Sequence, residues 1–332
     1  MIKKLIRPFV PFMLILLALF VAVSGVFGSA FSDSEAQSEV IDASASKDGE
    51  DVFSVLVIGK DKVSSLADVI MLVSFDRSSK RACVLQIPRD TYASYGNKNY
   101  YKINGALRTL GADGMRDFFE KNFGIALDGY ISLDLEGFRN VVDAIGGVEI
   151  TVEEDLKYND PSQGLYINLK KGRQTLDGKH AEMLVRYRSG YARGDLDRLD
   201  TQKEFMAATF LGVKKKINLL NAYGVISSVI PYIETDISAP ELLSLFVSGT
   251  AVSDEDIGFI TLPGEDAISD ISGGSFYVMS AKTTKKILNE NFRVTDENFD
   301  ADGRFLHNGI KKFAQIYNDD KETEAVFIKD LK

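Results

Sequence analysis

One short span concentrates the groups best suited to chemistry. It runs Val185-Arg186-Tyr187-Arg188, then Arg193-Gly194-Asp195-Leu196-Asp197-Arg198, and closes on Gln202. A guanidinium stays charged at any working pH and presents a planar fork of donors that suits phosphate oxygens. Arg186 and Arg188 flank one tyrosine, so in an extended segment their side chains share a face. Arg198 and Gln202 sit four apart, so on a helix they share one as well. Taken alone, the stretch fits two descriptions. One is an anion-binding wall for phosphate; the other is a solvated loop whose surface ion pairs contribute little.

Other candidates come earlier in the chain. Asp61 closes the Ile58-Gly59-Lys60-Asp61 turn after a first strand, and Asp68 opens a second. Two carboxylates at facing strand ends can hold Mg²⁺, with water and phosphate oxygens completing the shell. They can equally be a turn cap and a solvated side chain. Arg89 and Asp90 follow Pro88 at the end of a third strand, where α/β sheets often place ligand groups. They fit a phosphate clamp or a mutual ion pair. His180 and His307 have no partner at metal-ligand spacing and read as surface residues. No glycine-rich nucleotide loop and no Gly-x-Ser-x-Gly elbow is present.

These groups must be held by a fold, and the chain supplies one. It has 332 residues and a formal net charge of −9. Its first thirty residues carry only Lys3, Lys4 and Arg7 as charged groups. Taking those three from 39 basic residues leaves 36 against 48 acidic ones, a net −12. So acidic a body excludes nucleic acid as a partner, because backbone binding needs a basic footprint. The lone Cys83 permits no internal disulfide and reads as a small buried hydrophobe.

Residues 1–7 read as a cytoplasmic N-terminus and 8–30, uncharged and apolar, as a transmembrane anchor with the remaining chain outside the cell. A cleaved signal ending at Gly28-Ser29-Ala30 is the alternative. Residues 31–51, rich in Ser, Ala, Asp and Glu, read as a flexible tether. Strands are expected at Val52–Ile58, Val69–Phe75, Ala82–Ile87, Tyr130–Leu133, Val148–Val152, Ile257–Leu262 and Phe276–Met279. Helices are expected at Asn104–Leu110, Asp113–Phe123, Leu135–Ile145, Asp177–Tyr187, Leu199–Lys216, Ala222–Ile233, Pro240–Val252 and Ala281–Asn291. Thr91–Tyr101 and Glu153–Gly172 read as loops. Residues 292–332 read as a polar tail with a short helix at Gly309–Tyr317. The alternation indicates an α/β fold over 52–291. Phe118, Phe119, Phe123, Phe138, Val142 and Phe205 read either as ordinary core or as the lining of a lipid cavity.

In order, the chain carries Val57-Ile58-Gly59-Lys60-Asp61, Asp68-Val69-Ile70-Met71-Leu72-Val73-Ser74, Ile87-Pro88-Arg89-Asp90-Thr91-Tyr92 and Lys102-Ile103-Asn104. Asp143-Ala144-Ile145-Gly146-Gly147-Val148, Leu169-Lys170-Lys171-Gly172, Leu176-Asp177-Gly178 and Val185-Arg186-Tyr187-Arg188 follow. Gly194-Asp195, Arg198 and Gln202 close the series. This ordered set resembles the LytR-CpsA-Psr proteins of bacterial envelopes. The resemblance implies a mixed central sheet sandwiched between helices. It implies a membrane-bound phosphotransferase that moves a glycopolymer phosphate, teichoic acid- or capsule-like, from undecaprenyl diphosphate to peptidoglycan.

By the same resemblance, Asp61 and Asp68 would hold Mg²⁺ (or Mn²⁺). Arg89, Arg186, Arg188, Arg198 and Gln202 would hold the diphosphate, and Asp90 and Asp195 would orient the arginines, with Asp90 as the candidate general base. Three departures stand out. Leu66-Ala67 precedes Asp68 where the family often has arginine, the loop from Asp61 to Asp68 is short, and Thr201 stands where a further arginine is common. Lys60, Lys62 and Lys102 are the neighbours able to supply the missing phosphate contacts.

Overall fold

A computed structural model of the chain describes residues 52–61, 64–95, 98–161, 164–187, 195–216, 228–238, 241–242, 252–268, 274–296 and 326–327. The expected anchor over 8–30, the tether over 31–51, Lys62, Arg188, Arg193 and Gly309–Tyr317 lie outside them. So do half of Ala222–Ile233 and most of Pro240–Val252. No helix among the described residues is long and apolar enough to cross a membrane.

The chain opens with β1 (Val52–Lys60), β2 (Ala67–Asp76) and β3 (Arg81–Ile87), then a hairpin of β4 (Tyr92–Tyr95) and β5 (Lys98–Lys102). Helix α1 (Ala106–Phe123), β6 (Gly129–Leu133) and α2 (Leu135–Ala144) follow. Next come β7 (Val148–Val152), β8 (Leu156–Asp160), β9 (Leu165–Leu169), β10 (Gly172–Leu176), α3 (Gly178–Arg186) and α4 (Asp195–Lys216). The last elements are β11 (Ile233–Thr235), β12 (Ile257–Thr261), β13 (Gly264–Ile268), β14 (Ser275–Met279), α5 (Ala281–Asn291) and β15 (Val326–Phe327).

Seven strands form the main sheet in the order β11-β6-β1-β2-β3-β12-β15. The sheet is mixed. β1, β2 and β3 are an antiparallel meander, whereas β6 and β12 run parallel to β1 and β3.

Both faces of the sheet are covered, which is why β1–β3 read as nearly unbroken apolar runs. Val55, Val57, Val69, Met71 and Val73 pack on one side with Phe138 and Val142 of α2, Val185 of α3 and Phe205 of α4. Leu56, Ile58, Ile70 and Leu72 pack on the other with Phe118 and Phe119 of α1, Val278 of β14 and Leu288 of α5. The six residues considered for a single lipid cavity are therefore split. Phe118, Phe119 and Phe123 belong to one layer, and Phe138, Val142 and Phe205 to the opposite one. They are core residues of two separate layers and line no common cavity. Strand alternation explains the split, and the sequence alone gave no way to assign each helix to a face. Cys83 is buried as expected, and burial pushes its thiol up to about 12, so it stays protonated.

Most expected elements are present, and the differences have local causes. The two helices expected on either side of Gly111 are found as the two halves of α1, which that glycine interrupts with a non-helical φ of 76° and ψ of −179°. Thr91–Tyr101 is largely the β4–β5 hairpin, and Glu153–Gly172 contains the β8–β9 hairpin. The latter signal was in the sequence: Leu165, Ile167 and Leu169 alternate, and all three are buried. Ile233 opens strand β11 after a 3-10 turn over Ile230–Tyr232. Val326–Phe327, in the segment expected to be a polar tail, pairs antiparallel with β12.

Helix caps set the entry angles on the site-bearing side. Asp134 is the N-cap of α2, its Oδ1 accepting the N–H groups of Glu136 and Gly137, each at 3.0 Å. Asp134→Ala is expected to cost about 1 kcal/mol, read as a lower urea midpoint at unchanged slope. Asp177 caps α3 by accepting the His180 N–H at 2.8 Å, a bond that holds its carboxyl below the usual range.

Candidate active site

The parallel pairs β1/β6 and β3/β12 bring four strand C-termini to one edge of the main sheet. Register places the charged groups there. Ile70 pairs with Ile87, so two residues further along Asp68 comes opposite Arg89. The side chains meet: Arg89 Nη1 donates to Asp68 Oδ1 at 3.1 Å. Asp68 is 3% exposed, and a carboxylate so buried requires a charged or hydrogen-bonding partner. The row continues, with Arg89 Nε 4.0 Å from Asp90 Oδ1 and Lys102 Nζ 2.8 Å from Asp90 Oδ2. Lys102 Nζ also lies 5.9 Å from the centre of the Phe276 ring. Asp68, Arg89, Asp90 and Lys102 thus form one chain of alternating charge.

The turn beneath them is pinned through its backbone. Arg89 O accepts the Asn104 N–H at 3.2 Å, Asp90 O the Tyr277 N–H at 2.9 Å, and Thr91 O the Ile103 N–H at 2.8 Å. Such a turn presents its side chains at low reorganisation cost.

Asp61 lies at the same edge. Its N–H donates to Leu66 O at 3.0 Å, just beyond the Lys60–Ala67 pair, and its Oδ1 accepts the Ser64 N–H at 3.3 Å. Asp68 lies two residues on from Leu66, in β2, so both carboxylates belong to this end of the β1–β2 pair. The register shifts at Gly59/Lys60, a bulge of the kind that re-aims side chains beside functional sites. Among the described residues no group of three or more His, Cys, Asp or Glu could hold a metal. Two hard carboxylate donors are the ligand type that suits Mg²⁺, which phosphate-handling sites hold through one or two carboxylates. Lys60 is drawn to the other side, its Nζ 2.6 Å from Glu234 Oε2 on β11.

The second group of charges lies on the helical layer. Arg186 is the last residue of α3, inside the helix expected over Asp177–Tyr187, so it does not share an extended segment with Arg188. Tyr187 is already extended, at φ −65° and ψ 135°, so the helix ends between the two candidates. Arg186 is 7% exposed, and its Nη1 donates to Glu182 Oε1 at 2.6 Å. Gln202 is buried on α4, its Oε1 without a hydrogen-bond partner among the described residues. Asp195 and Arg198 fall on the opening turns of α4, and positions 198 and 202 share a helix face. The side chains of Asp195 and Arg198 lie outside the described residues. Val185 and Tyr187, flanking Arg186, join Phe205 and Val69 in one apolar cluster, so α3 and α4 cover the face of β2 that carries Val69.

Sequence reasoning missed Glu182 and Arg139. The i,i+4 spacing of Glu182 and Arg186 was a usable signal. The contribution of Arg139 depends on how α2 packs against α3. Gly178 makes that packing close, since a Cβ there would run into the Arg139 backbone.

The comparisons agree with this architecture. The sequence model of the LytR_cpsA_psr family matches residues 24–293, and the chain belongs to that family. It is 27% identical over 271 residues to the polyisoprenyl-teichoic acid–peptidoglycan teichoic acid transferase TagU of Oceanobacillus iheyensis, covering 78% of this chain and 80% of that protein. It is also 27% identical over 248 residues to the regulatory protein MsrR of Staphylococcus aureus, covering 71% and 73%. Among solved structures, B. subtilis TagV matches with a TM-score of 0.63 at 25% identity, over 73% of this chain and 97% of that one. A structure of TagT bound to LI-WTA matches with a TM-score of 0.61 at 27% identity, over 74% and 91%.

Proposed function

We propose that the protein is a membrane-anchored phosphotransferase that moves a glycopolymer phosphate from a polyprenyl diphosphate carrier to peptidoglycan. The Asp68–Arg89–Asp90–Lys102 row at the strand ends carries this proposal, because it offers fixed cations and carboxylates at one sheet edge. The transferase relatives and the TagT structure with LI-WTA support the same class of substrate.

In the proposed reaction an acceptor hydroxyl oxygen bonds to the phosphorus that bears the glycan. The bond from that phosphorus to the bridging oxygen breaks, and polyprenyl phosphate leaves with the oxygen and its electron pair. The hydroxyl proton passes to Asp90, the more exposed of the two carboxylates in the row. Arg89 and Arg186 stabilise charge on the phosphoryl oxygens, joined in this proposal by Arg188, Arg198, Gln202 and Lys102, with Asp195 orienting the arginines. Asp61 and Asp68 would hold Mg²⁺ (or Mn²⁺), which when bound would supply Lewis-acid stabilisation of the charge that grows on the leaving polyprenyl phosphate. No covalent protein intermediate is needed.

The test is release of polyprenyl phosphate by the full chain in detergent, with a lipid-linked donor and peptidoglycan. Arg186→Ala should lower turnover about 100-fold or more, and chelation should stop it until Mg²⁺ or Mn²⁺ is restored. Wild-type turnover by Arg186→Ala would defeat the arginine assignment. Release without acceptor would indicate a pyrophosphatase. Tight lipid binding with no turnover under either metal would support a regulator, the alternative that the likeness to MsrR favours.

A further inference from the structure

Glu182, a carboxylate outside the expected site, joins two helices at the buried arginine. Its Oε1 accepts Arg186 Nη1 and its Oε2 accepts Arg139 Nη1 of α2, each at 2.6 Å. Glu182 is 9% exposed and Arg186 7%, whereas Arg139 reaches solvent. The three groups carry two positive charges and one negative, leaving a local excess of one. Arg186 Nε is buried and has no hydrogen-bond partner among the described residues. Buried donors are normally satisfied, so an orphaned one calls for an explanation. In a guanidinium, Nε–H and the neighbouring Nη2–H form the side-on fork that donates to two oxygens of one phosphate. With Nη1 held by Glu182, the Nε side of the group is turned away from that carboxylate.

An exposed i,i+4 ion pair would support the helix slightly and leave chemistry untouched. This pair differs on two counts: both partners are buried, and the carboxylate is gripped from the far side by an arginine of another helix. We infer that Glu182 is a positioning residue. Anchored by Arg139, it fixes the Arg186 guanidinium so that the Nε–Nη2 fork faces a donor phosphate, and it does not itself touch substrate. This rests on the assignment of Arg186 to the donor diphosphate made above. Without Glu182, Arg139 and Arg186 would lose their shared counter-charge, and their repulsion would swing the Arg186 fork away.

The experiment compares Glu182→Gln, Arg139→Gln, Arg186→Ala and the Glu182→Gln/Arg186→Ala double variant in the full chain, with a polyprenyl diphosphate-linked donor. Glu182→Gln is expected to lower kcat roughly 10- to 100-fold, while the donor KM moves less than about threefold. The double variant should be no slower than Arg186→Ala alone, because both act through one group. Arg139→Gln should fall in the same direction by less, and it carries the test if Glu182→Gln does not fold. Wild-type kcat in Glu182→Gln, or in Arg139→Gln where that variant stands in, beside an inactive Arg186→Ala overturns the positioning role alone. So does a double variant whose loss is the product of the two single losses. Full turnover by Arg186→Ala overturns the donor-site assignment and this inference with it.

Discussion

Asp68→Asn is expected to reduce transfer by about 10²- to 10³-fold. The substitution keeps the side chain's size and one acceptor oxygen but removes a buried negative charge. Two consequences follow at once. Arg89, whose Nη1 donates to Asp68 Oδ1 at 3.1 Å, loses its principal counter-charge at the end of β3. The proposed metal pair is left with Asp61 alone, and one carboxylate binds Mg²⁺ weakly. Initial rates over a Mg²⁺ series check this. If the loss is mainly one of metal affinity, raising Mg²⁺ should recover part of the rate, and the recovery should be absent in Arg89→Ala. Turnover within threefold of wild type at ordinary Mg²⁺ would show that the strand-end row is not the site.

Phe205→Ala is expected to destabilise the protein by about 3–5 kcal/mol. The ring is fully buried and lies 6.2 Å from Phe138 of α2, centre to centre, at an interplanar angle of 37°. Truncation would open a cavity where α4 meets α2 over the sheet. The loss should appear as a lower urea midpoint with little change in slope. Because Gln202 sits one turn earlier on α4, the variant should also lose more activity at low temperature than an equally destabilised one altered near α5. A loss below about 1 kcal/mol would show that this ring does not seat α4.

What the sequence made legible follows from how each element is buried. β1, β2 and β3 could be read directly, because strands covered on both faces lack polar interruptions. α3 was readable from its cap, Asp177, and α2 from the apolar face of Phe138 and Val142 and from Gly146 and Gly147 after it, whereas Asp134, the cap of α2, was a signal left unused. The β4–β5 hairpin was hidden because Tyr92–Lys102 has no clean alternation. The β8–β9 hairpin was missed although its alternation was there to count.

The strand-end candidates Asp68, Arg89, Asp90 and Lys102 do come together, as register brings strand ends together. Their precise partners were less legible. Asp90 pairs more closely with Lys102 than with Arg89, and the buried partner of Arg186 is Glu182. Contacts between α2 and α3 depend on a crossing that no linear spacing encodes. The same limit applied to the phenylalanines, which could be recognised as buried but not assigned to one face or the other.

The two ends of the main sheet have a consequence for life at high local concentration. Among the described residues, β11 has three residues and β15 has two, and they border a seven-stranded sheet whose inner strands run to ten. A long bare edge would offer a template on which a second chain could add its own strand. Here the outermost strands are too short to dictate a register to a newcomer, and Glu234 of β11 adds a charge to one of them. Among the described residues, edges this short give a second chain little register on which to add a strand of its own.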